Sequence, residues 1–109
     1  MTREELTTRL ADHYRGQGWA TRTDGDGTIF ADGPGGVTWI GAVVTSGDLD
    51  SGDLEARLPE LAERRMPHGG ELCPLELLPA AECFAELEGL LARLGLAERC
   101  HVAVYSFAS

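Results

Sequence analysis

Apolar residues recur at four-residue steps in Leu6, Leu10 and Tyr14, with Ala11 beside them, and the pattern then changes to short extended runs. The first spacing predicts an amphipathic helix with one buried stripe. Thr2 and Glu5 make a capping box that starts it at Arg3, and Gly16 and Gly18 stop it. Its outer face carries Arg3, Glu4, Arg9 and Asp12. Residues 19–23 read as a strand, Asp24-Gly25-Asp26-Gly27 as a tight turn, and residues 28–32 as the returning strand. Gly33-Pro34-Gly35-Gly36 turns the chain again into residues 37–44. That third strand is apolar on both faces, which predicts a central strand covered on both sides.

Residues 45–53, rich in Ser, Gly and Asp, read as a loop. Leu54, Leu58 and Leu61 then return to helical spacing, with Pro59 among them. A proline inside a helix costs about 3 kcal/mol, so the helix either kinks at Pro59 or begins there. Met66-Pro67-His68-Gly69-Gly70 ends it. Residues 72–78 look extended, with Pro74 placing their first half on an edge or outside the sheet. Pro79 is expected to open a third helix, with Phe84, Leu87, Leu91 and Leu94 as its buried stripe and Cys83 and Leu90 on the flanks. Gly95 closes that helix, with Leu94 and Leu96 placed for the apolar contact of such caps. Residues 101–107 read as a last strand. The order α-β-β-β-α-β-α-β predicts one α/β (α+β) domain over residues 1–109. Its mixed sheet contains a three-stranded antiparallel meander, with helices packed on it.

Composition changes the picture mainly by exclusion. All nine basic residues are arginines, set against eighteen Asp and Glu, for a net charge of −9. Without lysine there is no Schiff-base chemistry and no phosphate-loop lysine. Nucleic acid is not expected as a partner, because phosphate contacts need a concentrated basic face. The acidity serves solubility, or more pointedly a surface for a basic partner. The charged N-terminus has no apolar run behind it, and no stretch reaches membrane-spanning length. Three irregularly spaced cysteines make no disulfide framework, so the cytoplasm is the expected compartment. Abundant Ala, Gly and Arg with no Lys matches the coding bias of GC-rich bacteria.

Several constellations carry candidate chemistry. His68, Cys73, Cys83, Cys100 and His101 could be assembled into a zinc site, but no pair has the close spacing that such sites use. Cysteine catalysis would need Cys73 or Cys100 to meet His13, His68 or His101. The acidic turn resembles a calcium loop, yet aligning Gly27 with that loop's glycine puts Arg22 first and Gly33 last, where ligands are required. No glycine pattern opens a helix as a nucleotide cradle does. Neither a metal nor a cofactor is therefore expected. Arg64-Arg65 suits the end of the second helix, and Glu82, Glu86 and Glu88 suit the solvated side of the third. Trp39 belongs to the central strand, while Trp19 stands at a strand start where an aromatic could anchor a partner.

The order of elements resembles the core of restriction-endonuclease-like nucleases, in which a helix leads into a three-stranded meander followed by helix and strand. By that resemblance Asp32 stands where the family's first metal-binding acid would be, and Glu4 or Glu5 where some members carry a helix-one acid. The third strand departs from the pattern, offering Trp39, Ile40 and Gly41 with neither acid nor lysine. The resemblance thus implies a relative that has lost activity, since a hydrolytic metal site needs convergent carboxylates.

Taken together, the residues point away from an enzyme and toward a non-catalytic bacterial domain of inhibitor, adaptor or immunity type, binding a basic protein partner. Pairing of strand edges between copies would also make a homodimer. The alternative from another class is a small enzyme or ligand-binding protein with a pocket near Asp32, Trp39 and His68.

Overall fold

The computed structural model describes residues 3–24, 28–66 and 69–105. Helix α1 (Arg3–Arg15) buries the expected stripe of Leu6, Leu10, Ala11 and Tyr14. It ends where Trp19 N–H reaches back to the Tyr14 carbonyl through Gly18, which takes a left-handed φ of 84°. The Thr2 cap and the Gly25–Gly27 turn lie outside the described residues. Strands β1 (Ala20–Thr23) and β2 (Ile29–Asp32) nevertheless pair antiparallel. The Asp24 carboxylate and the Asp24 N–H both bond Thr28, closing the base of that hairpin. A 3-10 turn at Pro34–Gly36 leads into β3 (Thr38–Val44), antiparallel to β2 and almost wholly buried, as its double-sided apolarity predicts.

The chain then departs from the expected loop. Residues 46–51 form a short helix, α2 (Ser46–Ser51), where Asp48 accepts from both the backbone N–H and the hydroxyl of Thr45 at 2.8 Å. Thr45-x-x-Asp48 is a capping box hidden among turn residues. Helix α3 (Asp53–Ala62) runs through Pro59 instead of starting there. Leu54, Leu58, Leu61 and Ala62 are all buried on one side of it, and that packing outweighs a cost of about 3 kcal/mol for the proline.

Strand β4 (Leu75–Pro79) lies parallel to β3, with Pro74 outside it as expected. Pro79 ends this strand and does not open the third helix. A 3-10 turn at Ala81–Cys83 intervenes, and α4 (Phe84–Arg93) follows. Phe84, assigned to the buried stripe, is 38% exposed. It opens the helix past the end of β4, and Cys83 takes the buried position in that turn while Leu90 joins Leu87 and Leu91 inside. Gly95, at φ 73°, closes α4 through paired bonds from Leu96 N–H to Leu91 and from Gly95 N–H to Ala92. Leu91 and Leu96 are buried in the core at that cap, and Leu94 is partly buried against the same cluster. Strand β5 (Val102–Val104) pairs parallel to β4; of the run predicted to extend from 101 to 107, the last two residues lie outside the described ones.

The sheet order is β1-β2-β3-β4-β5, two antiparallel pairings followed by two parallel ones. Successive crossovers that step the same way along a sheet place their helices on one face. Accordingly α3 and α4 cover one side, with Leu54, Leu58, Leu87 and Leu91 against Ile40, Leu75 and Leu77. The opposite side is closed by α1, with Leu10 and Tyr14 among Ile29, Ala31 and Val43. The result is one α+β domain of three layers.

Candidate functional site

One charged residue among those described is fully buried: Glu76, 2% exposed, at the centre of β4. Its strand alternates, so Leu75 and Leu77 enter the α3–α4 side while Glu76 points to the α1 side. Its neighbours in register are Gly41 on β3 and Ala103 on β5, two small residues that leave room for rings. Tyr14 of α1 donates its hydroxyl to Glu76 Oε1 at 2.5 Å, and Tyr105, just past β5, donates to Oε2. His13 stands beside both tyrosines, its ring centroid 5.7 Å from that of Tyr14 and 6.1 Å from that of Tyr105. Burial pushes the Glu76 carboxyl above the usual carboxylate range, while the Tyr14 bond and the charge of His13 pull it partly back. Burial also drives the Tyr14 phenol far up, with the hydrogen bond and the charge of Glu76 adding to it. With both oxygens held by hydroxyls of the same chain, this group is a clasp joining α1, β4 and the end of β5.

The residues singled out from sequence fall in separate places. Trp19 is half-buried against Gly33, where a Cβ would come within 2.9 Å of the indole. It stacks on Tyr14 with centroids 6.2 Å apart and meets Trp39 edge-on at 5.3 Å, so the two tryptophans partner each other on the α1 side. Asp32 shares the opposite side with Phe30, two residues before it on β2. It accepts from Thr38 Oγ1 at 3.0 Å and from Arg22 Nε at 3.3 Å, and Arg22 also lies over the Phe30 ring. Asp32 and Trp39 thus share no cleft, and His68 lies outside the described residues. Glu4 and Glu5, on α1, stand across the sheet from Asp32.

The cysteines and histidines weighed as a zinc set lie apart among the described residues. Cys73 belongs to the α3–α4 core, Cys83 to the α1 core, and Cys100 is exposed. His101 bonds the Ala62 carbonyl at 2.7 Å and ties β5 to the end of α3. Among the described residues, no three acids, histidines or cysteines gather as a metal would need.

The feature missed from sequence is a groove of about 350 Å3 between the α2–α3 corner and α4. Leu49, Leu54 and Leu90 supply its apolar lining, and Glu55, Glu86 and Arg93 its polar groups. On α4 the lining residues Glu86, Gly89, Leu90 and Arg93 follow the spacing i, i+3, i+4, i+7 of a single helix face. The groove lies near the carboxyl ends of the parallel strands β3 and β4, from which α2 and the turn into α4 emerge. Acids crowd that end: burial raises the Cys83 thiol, and Glu82, Glu86, Asp48 and Asp50 raise it further by their charge. Asp48 is engaged by Arg3 and Thr45, whereas Glu55, Glu82 and Glu86 are exposed. Gly89 and the Glu86–Arg93 spacing were the available signals, obscured because a polar helix face normally reads as solvated.

The molecule is thus a three-layer α+β domain with a mixed five-stranded sheet, an internal carboxylate clasp and an acid-flanked groove. No helix among the described residues is long and apolar enough to cross a membrane. No protein-family model, curated protein or solved structure matches the chain.

Proposed function

We propose that this chain is a non-catalytic protein-interaction domain of the bacterial cytoplasm, of inhibitor, adaptor or immunity type, which binds a basic partner protein. The observation that carries the reading is the groove between the α2–α3 corner and α4, where the half-buried Leu49 lies among the exposed acids Glu55 and Glu86. A surface with an excess of one charge sign selects partners of the other. Glu76, the fully buried acid among the described residues, supports the same reading, because its two oxygens are spent on Tyr14 and Tyr105.

The test is recovery of partners by tagged protein from a native lysate, beside a variant carrying Glu55→Gln, Glu82→Gln and Glu86→Gln. The reading expects one basic protein retained by the wild type, released by salt and lost from the variant. Equal retention by both proteins, or retention of acidic proteins alone, overturns it.

A second reading, an inactive relative of restriction-endonuclease-like nucleases, is favoured by the surroundings of Asp32. Its bonded partners are Arg22 and Thr38, not a second acid. That reading expects no Mg2+ binding at Asp32 in a calorimetric titration, and measurable binding lost in Asp32→Asn would sink it.

A further inference from the structure

We propose that β1 is an association edge, pairing antiparallel with β1 of a second copy of this chain about a two-fold axis at Thr21. The edge is distinct from the groove of the partner reading, which no residue of β1 lines. Strand β1 stands at the end of the sheet order, with β2 beside it. Two backbone bonds fix which of its groups are left over. Asp24 N–H donates to the Thr28 carbonyl at 3.0 Å, and Gly33 N–H to the Val37 carbonyl at 2.8 Å. With the registers of β1–β2 and β2–β3, these bonds set the alternation of an antiparallel ladder. Ala20 and Arg22 bond β2, whereas Thr21 and Thr23 turn N–H and C=O outward, as Trp19 does its carbonyl. Among the described residues no backbone partner meets these groups.

Exposed strand edges are usually blunted by lysine, proline, a bulge or a covering segment. Strand β1 has neither lysine nor proline, and its register with β2 runs unbroken from Ala20–Asp32 to Thr23–Ile29. Its one charge, Arg22, folds inward over the Phe30 ring and bonds Asp32. The charges on and beside it are balanced in pairs, Arg15 with Asp12 and Arg22 with Asp32. Two copies thus meet here without the excess of acid that gives the whole chain its charge of −9. The opposite edge offers less, since β5 has three residues and the Val102 N–H is spent on the Arg99 carbonyl.

Self-pairing then selects a register. An axis at Arg22 sets two arginines directly opposite each other, which is unfavourable. An axis at Thr23 leaves Ala20 and Thr21 facing the turn beyond the strand. An axis at Thr21 exchanges N–H···O bonds between the two Thr21 residues and brings each Thr23 N–H to the Trp19 carbonyl of the other copy. It places Arg22 opposite the small, exposed Ala20 of the second copy, whose own neighbour in register is Asp32. Each row across the joint reads Phe30, Arg22, Ala20, Asp32, so the two copies complement each other in charge.

A four-residue edge makes a small contact of the transient kind, so association depends on concentration. Sedimentation velocity of the full chain, from about 10 µM to about 1 mM, reads it, and a reversible monomer–dimer equilibrium is expected. Thr21→Pro removes an outward N–H without touching a bond to β2. It should keep the circular dichroism spectrum and weaken dimerisation at least about tenfold. Ala20→Glu sets an acid opposite Arg22 of the second copy and should tighten the dimer about fivefold, whereas Ala20→Arg should weaken it by about the same factor. That pair of variants decides the matter even if Thr21→Pro does not fold. A chain that stays monomeric throughout overturns the proposal. Undiminished dimerisation of a folded Thr21→Pro overturns it, as do Ala20 variants that act equally or in the reverse order.

Discussion

On one face of the sheet α1 lowers Tyr14 onto Gly41 and Glu76, while Trp19 closes over Gly33. On the other, α3 and α4 lay Leu54, Leu58, Leu61, Leu87 and Leu91 over Ile40, Leu75 and Leu77. The first is built on aromatic rings, two glycines that permit close approach and a buried carboxylate. The second is mostly aliphatic volume, with Cys73 inside it and Phe30 packed against it. Rings and hydrogen bonds fix distance and angle, whereas aliphatic packing mostly conserves volume and adapts in detail. The two faces should therefore fail differently: the α3–α4 side when atoms are removed, the α1 side when atoms are added or a proton moves.

Removing atoms from the aliphatic side gives the largest expected effect. Leu58→Ala, at a position with no exposure, should destabilise the chain by about 3 kcal/mol in urea unfolding, and Leu58→Met by less than about 1.5 kcal/mol. Equal losses from both would show that this side is as shape-specific as the other. Adding one carbon on the α1 side comes next. A Cβ at Gly41 would lie 2.9 Å from both Leu10 Cδ2 and Tyr14 Oη, so Gly41→Ala should cost about 2 kcal/mol despite the gain in apolar volume. A neutral or stabilising result would mean that α1 can lift away freely, and the contrast between the faces would fall.

The third effect is one of pH. Because burial raises the Glu76 carboxyl above its ordinary value of about 4.5, the folded chain holds that proton more tightly than the unfolded chain does. The associated stability is fully present below the unfolded value and is lost as pH rises through the raised native value. Glu76→Gln keeps the shape and removes the titration. The stability of the wild type minus that of Glu76→Gln, followed by urea unfolding from about pH 4 to about pH 8, should fall as pH rises. A difference that stays flat or rises would mean that the Tyr14 and Tyr105 bonds, not burial, dominate at Glu76.

The same contrast marks how much could be read from the residues. Volume and periodicity are local properties, so the meander, the stripe of α1 and the leucines of α3 were all legible. The parallel pairing of β3, β4 and β5 follows from the helices between them, although periodicity does not give strand order. The clasp was not legible: Glu76 sits in a run of leucines, and its partners lie 62 and 29 residues away in the chain. An acid there reads as solvent-facing until the two tyrosines are placed. Phe84 failed for the opposite reason, since spacing marks a face but not where the layer beneath it ends. The dispersal of Asp32 and Trp39 is a matter of strand parity, as residues seven apart on two paired strands can face either way.

The smallest effect bears on Gly89, a glycine that neither face explains. Gly41 and Gly33 are glycines because rings descend on them; nothing descends on Gly89. If this position answered only to stability, alanine would occupy it, since alanine fits the open space and restricts the unfolded chain. Gly89→Ala should therefore raise stability by about 0.5–1 kcal/mol, measured as a shift of the urea midpoint at unchanged slope. An increase of that size would mean that α4 carries an uncompensated local cost, located in the acid-flanked groove and absent from either core. A decrease would mean that the chain itself closes on Gly89 in solution, and the groove would then be part of the packed fold and not a surface held open for a partner.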